Sequence, residues 1–149
     1  MASSKVIKVR KLSQEYAYAS ILMHETIARN AGFSSTDHKY LGFFLQKGPL
    51  TAGELAALTG LTTGAVTGLI DRFEKRNLVK RRFDKSDRRK VVIEPYADKI
   101  IALLEPFYKD FQAATEALIA SFSSKERDII ESYLVKALAL ATATNDKFK

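Results

Sequence analysis

Ten cations crowd into one short stretch of this chain. Residues 72 to 90 read RFEKRNLVKRRFDKSDRRK. Arg72, Lys75, Arg76, Lys80, Arg81, Arg82, Lys85, Arg88, Arg89 and Lys90 stand there against only Glu74, Asp84 and Asp87. That excess of seven equals the net charge of the whole 149-residue chain, so the remaining residues are balanced. A diffuse excess would mean only solubility. A confined one is the footprint of a surface that binds a polyanion. The competing reading is a solvated charged face, the usual meaning of a charge run, and the confinement argues against it.

Other chemistry is scarce. The absence of cysteine excludes disulfides, thiolate zinc sites, thiol nucleophiles and thiol redox sensing, and it fits a reducing compartment. His24 and His38 are the only imidazoles, too few for a multi-histidine metal site. Gly60, Gly64 and Gly68 do not make a phosphate loop, because Gly64 and Gly68 fall within a helical pattern. No nucleophile motif is present. The chain is therefore expected to be no enzyme and to need no cofactor or metal. No apolar run approaches the roughly 20 residues of a membrane span, and Met1 to Lys11 lack the apolar core of a signal peptide. A cytoplasmic protein with no membrane partner is expected.

The elements that must position the basic stretch can be read from periodicity. Residues 13 to 31 predict a helix capped by Ser13 and stopped by Gly32. Ser34 or Ser35 opens a second, with Tyr40, Leu41, Phe44 and Leu45 as its apolar residues, ended by Gly48 and Pro49. Thr51 and Glu54 form a capping-box pattern before a short helix whose Leu55, Ala56 and Leu58 face one way; Gly60 breaks it. Thr62 or Thr63 caps the next helix, where Val66, Leu69, Ile70 and Phe73 fall at i, i+3, i+4, i+7, a buried stripe. Asn77 suits a left-handed terminator. Then the period changes. Leu78, Val79 and Phe83 lie in one β-prone run. Val91, Val92 and Ile93 lie in another, closed by Pro95, with a polar turn at residues 84 to 87 between them. Helix returns from 96 to about 121, with Pro106 expected to kink or split it. Ser123 and Glu126 form a second capping box, opening a last helix to about Thr142.

Two short capped helices around Gly60 follow helix-turn-helix logic, in which the first braces and the second enters a major groove. A structural αα-hairpin would look similar. Two features favour the functional reading. The outward face of the second helix is small and polar (Thr62, Thr63, Gly64, Ala65, Thr67 and Gly68), which lets a helix seat deep against base edges. The basic hairpin directly after it has the place and charge of a wing. Arg72, Lys75, Lys80, Arg81 and Arg82 would meet phosphates, giving affinity and register rather than sequence information. Arg76 is a candidate for internal pairing, and Asp71 and Glu74 for shaping the patch.

The segment TTGAVTGLIDRFEKRNLVKRRFDKSDRRKVVIEP closely resembles the winged helix of the MarR family of bacterial transcriptional regulators. The likeness extends over nearly the whole chain. Asp87-Arg88-Arg89 and residues 69 to 74 (LIDRFE) are its most specific parts. It implies a mainly α fold with a small β-hairpin wing. Residues 34–95 would form the winged helix-turn-helix lobe, and residues 1–33 and 96–149 the helical dimerisation region of a single domain. By this resemblance Thr62, Thr63, Ala65 and Thr67, with Gly68 beside them, would face bases. Arg88 and Arg89 would lie at the wing tip with Lys85, one arginine entering the minor groove, where the enhanced negative potential attracts it. Asp87 would orient them by a salt bridge.

The resemblance also implies partners: double-stranded DNA carrying a pseudo-palindromic operator, and a second copy of the chain. Val6, Ile7 and the last helix, with Leu134, Leu138 and Ala141, would form the homodimer interface. Residues 129 to 141 carry apolar groups on more than one face, though a self-contained bundle would also explain that. Relatives of this kind often release DNA when a small anionic aromatic effector binds. The candidates here are Tyr16, His24, Arg29, His38, Tyr40 and Phe44, plus Tyr108 or Phe111, all of which could instead serve the core. A dimeric repressor is the leading expectation; the alternative is a winged-helix protein-interaction module that binds no DNA.

Overall fold

The stripe at Val66, Leu69, Ile70 and Phe73 organises the fold. These four residues are the buried face of α4 (Thr63–Lys75), each at 2% exposure or less. Phe73 stands edge-on to two other rings, Phe33 at 6.4 Å and Phe44 at 6.3 Å between centroids, the arrangement aromatic quadrupoles favour. The structure, a computed structural model, describes residues 1–149.

Before α4 come α1 (Ser4–Asn30), α2 (Ser35–Lys47), the short strand β1 (Leu50–Thr51) and α3 (Ala52–Thr59). After it come β2 (Val79–Phe83), β3 (Val91–Pro95), α5 (Ala97–Ala120) and α6 (Ser124–Lys147). The sheet is antiparallel with order β1-β3-β2. Its register runs from Val79 opposite Pro95 to Phe83 opposite Val91, with Leu50 opposite Ile93 on the other side. Leu41, Leu55, Val79, Ile93 and Ile100 complete the core, all at 1% exposure or less.

Several boundaries depart from the sequence reading, each for a physical reason. The first helix starts at Ser4, not near Ser13, and its cap is Ser3, whose hydroxyl accepts from the Val6 amide at 3.3 Å. Val6, Ile7, Val9 and Leu12 are exposed among lysines, so no buried stripe marks those turns. Thr51 caps α3, accepting from the Glu54 amide at 3.1 Å, but the Glu54 carboxylate accepts from the Thr51 hydroxyl instead of closing a capping box on the backbone. Thr51 also ends a strand, and a two-residue strand has no periodicity to detect. On α3 Leu55 is fully buried and Leu58 is 39% exposed, so the two do not share one buried face. Pro106 does not divide α5. It removes one amide donor, and both Pro106 and Ala102, whose carbonyl it frees, are exposed to water.

The chain forms two compact units, residues 1–106 and 107–149. Every buried apolar residue belongs to the first. In the second, Ser123 closes the full capping box on Glu126, with bonds of 3.2 and 2.8 Å. Arg127 donates to the carbonyls of Phe122 and Ala120 at the preceding turn. Yet α6 has no buried residue along its 24 positions, and Leu138 and Leu140 are 70% and 71% exposed. No helix is long and apolar enough to cross a membrane.

Candidate nucleic-acid interface

Local chemistry sets the entry of α4. Gly60 ends α3 at φ 71°, a left-handed conformation that glycine adopts without strain. Two residues later the Thr62 hydroxyl accepts from the Ala65 amide at 3.2 Å and starts α4. With one face of α4 buried, Thr62, Thr63, Gly64, Ala65 and Thr67 are exposed and Gly68 is half-buried. A Cβ added at Gly64 would meet no atom of the chain within 4 Å. Its smallness therefore serves no packing inside this chain. The Thr67 hydroxyl donates to the Thr63 carbonyl at 3.0 Å, so outward it offers a methyl group and an acceptor lone pair.

The ten cations from residue 72 to residue 90 fall into two groups. Six are tied inside the chain. Arg72 makes a bidentate pair with Asp37 of α2, at 2.7 and 2.9 Å, and that hydrogen bonding raises its already high pKa. Arg76 lies 3.8 Å from the Phe33 ring centroid and donates to the Gly32 and Ala31 carbonyls at the end of α1, as its internal role anticipated. Arg81 bridges Asp71 and Glu74 at 2.5 Å each. Arg82 and Lys80 share Glu94 across the hairpin, at 2.9 and 3.7 Å. Arg89 pairs with Asp87 at 3.2 Å yet keeps 92% of its side chain exposed. The other four, Lys75, Lys85, Arg88 and Lys90, are exposed and have no carboxylate partner within ion-pair distance.

The wing turn is built by two aspartates. Asp84 accepts from the Ser86 amide and hydroxyl at 2.8 and 2.7 Å; these bonds, the hydroxyl's first, hold its carboxyl below the usual range. The Asp84 amide donates to the Lys90 carbonyl, closing the loop at 2.9 Å. Asp87 accepts from the Arg89 amide at 3.0 Å as well as from its guanidinium, so one carboxylate sets both backbone and side chain of Arg89.

Sequence reasoning missed Asp37 and Glu94. Glu94 was within reach, since a hairpin register that opposes Val91 to Phe83 also opposes Glu94 to Lys80. Asp37 lies 35 residues from Arg72, and no local signal links them.

Within the first unit the candidate effector residues do not all gather in one place. Tyr40 and Phe44 are buried in the core, at 7% and 1% exposure. Tyr16 is largely exposed, and exposed Arg29 donates to Thr26. Tyr108 and Phe111 belong to the second unit, where burial pushes the Tyr108 phenol up. His24 and His38 do meet, with ring centroids 6.1 Å apart. They line a cavity of about 550 Å³ between α1 and α2, with Ile21, Glu25 and Lys39. Burial, and then the charge of His24, lower the His38 pKa from 6.5. No three histidine or carboxylate side chains are grouped to hold a metal ion.

An N-capped helix with a bare, small face, followed by a basic three-stranded wing, defines a winged helix-turn-helix protein. The MarR family model matches residues 31–90. An uncharacterized HTH-type transcriptional regulator of Bacillus subtilis, YcgE, is 34% identical over 140 residues, 93% of this chain and 90% of that protein. The structure of a MarR family protein from Bacillus stearothermophilus superposes with a TM-score of 0.73 at 27% identity, covering 95% of this chain and 99% of that one. The fold is shared with an S. aureus MepR mutant bound to an oligodeoxyribonucleotide, at a TM-score of 0.54 and 22% identity, over 94% and 99% of the two chains. The chain belongs to the MarR family of transcriptional regulators.

The open space at Gly64 allows folding and DNA binding to be tested separately. Gly64→Leu is expected to leave thermal stability unchanged or raise it by up to about 1 kcal/mol, since leucine favours helix over glycine. The same variant is expected to lose DNA binding in a gel shift, because the side chain holds the helix off the groove. A variant that binds DNA as well as the parent would show that this face does not approach bases.

Proposed function

We propose that the protein binds double-stranded DNA sequence-specifically as a homodimer and acts as a repressor. The observation that carries this reading is the bare outer face of α4 beside a wing whose Arg89 is held outward by Asp87. Thr62, Thr63, Ala65, Thr67 and Gly68 face the major groove. Arg88 and Arg89 reach the minor groove, aided by Lys85, while Lys75 meets phosphates. Arg72, Lys80, Arg81 and Arg82 lie against the backbone while keeping their carboxylates, and so neutralise no phosphate of their own.

Dimerisation is supported by the exposed apolar side chains of α6 and of the first half of α1. Val6, Ile7, Leu134, Leu138 and Ala141 are all exposed. A helix of 24 residues with no fully buried residue in its own chain lacks most of the tertiary packing that stabilises helices in proteins, which a second copy would supply. Two-fold symmetry then puts two recognition helices about one DNA turn apart, on a pseudo-palindrome. The cavity at His24 and His38 can take a small aromatic anion: Lys39 brings positive charge to its wall, beside Glu25, and Ile21 with the two imidazole rings offers apolar and stacking surface. Its occupation would release the DNA.

Four outcomes are expected on this reading. With four unpaired cations per chain, a dimer neutralises about eight phosphates, and the log–log dependence of affinity on salt has a slope near −7; Arg89→Ala weakens operator binding by roughly 10- to 100-fold. A slope near zero, or an unchanged affinity for Arg89→Ala, would refute wing readout and favour a protein-interaction role. Leu134→Asp with Leu138→Asp gives monomers in sedimentation equilibrium; a parent chain that sediments as a monomer removes the dimer. Benzoate at millimolar concentration shifts the His38 ring resonances and releases operator DNA, and His38→Ala abolishes the release; resonances that do not move exclude the cavity as the effector site.

A further inference from the structure

One wing side chain is left over by the electrostatic account. Phe83 ends β2 and is 68% exposed, the most exposed aromatic residue between positions 34 and 95. Its partner on β3 is Val91, 38% exposed. Single exposed apolar residues are ordinary. Here two stand opposite each other, in the most highly charged part of the molecule.

The register says which way they face. Side chains alternate along a strand, so Val79, Arg81 and Phe83 share a face with Pro95, Ile93 and Val91. Val79 and Ile93 are buried in the core on that face, and Arg81 reaches Asp71 and Glu74 of α4. This is therefore the side of the hairpin turned to the recognition helix. Phe83 and Val91 continue it past the helix toward the wing tip. The opposite face carries the Lys80–Arg82–Glu94 cluster.

We propose that Phe83, with Val91 beside it, seats against the deoxyribose edge of double-stranded DNA flanking the segment contacted by α4, and sets how deeply the wing enters the minor groove. The inference rests on the DNA-binding reading above. The surroundings select the occupant. Lys85, Arg88 and Lys90, all without a carboxylate partner, lie in the turn that joins the two strands. An occupant must offer apolar surface to the pair and negative charge within a few ångströms of it. The sugar-phosphate edge of a groove does both; apolar side chains, phenylalanine among them, also serve minor-groove binders as wedges between base steps, and here the pair would meet the sugars beside the groove. The contact releases no counterions, so it adds affinity that the salt dependence does not register.

The test uses the full chain and a duplex recovered by selection from a random pool. Dissociation constants are measured from low to high salt for the parent, Phe83→Ala, Phe83→Leu and Arg89→Ala, with hydroxyl-radical footprints of each complex. Phe83→Ala is expected to weaken binding about tenfold at every salt concentration, with the slope unchanged. Phe83→Leu recovers most of that loss. The Phe83→Ala footprint loses sugar protection on the flanks of each half-site and keeps it at the centre. Equal affinity for Phe83→Ala beside a weakened Arg89→Ala overturns the inference and leaves the DNA reading standing. Unchanged DNA affinity with lost self-association assigns the patch to protein contact and overturns it equally. A parent chain that selects no duplex removes both. The Leu variant, which keeps apolar volume at the strand end, carries the comparison if the Ala variant melts early.

Discussion

The burial of one face of α4 is the constraint on which the rest of the structure depends. A 13-residue helix with Val66, Leu69, Ile70 and Phe73 on one side must cover that side. α2 contributes Leu41 and Phe44, α3 contributes Leu55, and the sheet contributes Val79 and Ile93. Once those surfaces are in place, the opposite side of α4 can only face outward. The wing is then bound to the same helix by Arg81, which grips two acids one turn apart on α4. The orientation of this bare outer face is thus a by-product of hydrophobic packing.

The charge of the lobe is more ordered than its density suggests. Like charges crowded on one surface repel each other, and six of the ten cations between residues 72 and 90 are stabilised by carboxylates or carbonyls. The carboxylate partners come from α2, α4, β3 and the wing turn; all the pairs but Arg89–Asp87, which lies within the turn, also tie two segments together. Exposed pairs of this kind add little stability individually, about 0–1 kcal/mol. Their effect is geometric: a long flexible side chain is held in one direction, and less rotamer freedom remains to be lost on binding.

Much of this was legible in the sequence because it depends on local rules. The stripe on α4, the caps at Thr62 and Ser123, the left-handed Gly60 and Asn77, and the two β-prone runs around a polar turn all have short-range causes. What was not legible has long-range causes. Asp37 finds Arg72 only after the lobe has folded, and β1 exists only because β3 passes beside it. The burial of Tyr40 and Phe44 depends on which side of α2 meets α4, and spacing alone left those aromatics eligible for a ligand site. The first turns of α1 were missed for the opposite reason, since nothing within this chain buries them.

The vacancy in front of Gly64 has an evolutionary consequence. Thr63, Gly64 and Ala65 are exposed, and the space beyond Gly64 is empty. Most substitutions in proteins are filtered by their effect on folding before function is ever tested. These positions escape that filter. Lineages can therefore drift through many side chains on this face while the fold stays equally sound, and on the reading proposed above only the DNA that docks there judges the result. A regulator constructed this way can be duplicated and turned to a new set of genes by a few changes at its surface, with no repair needed beneath.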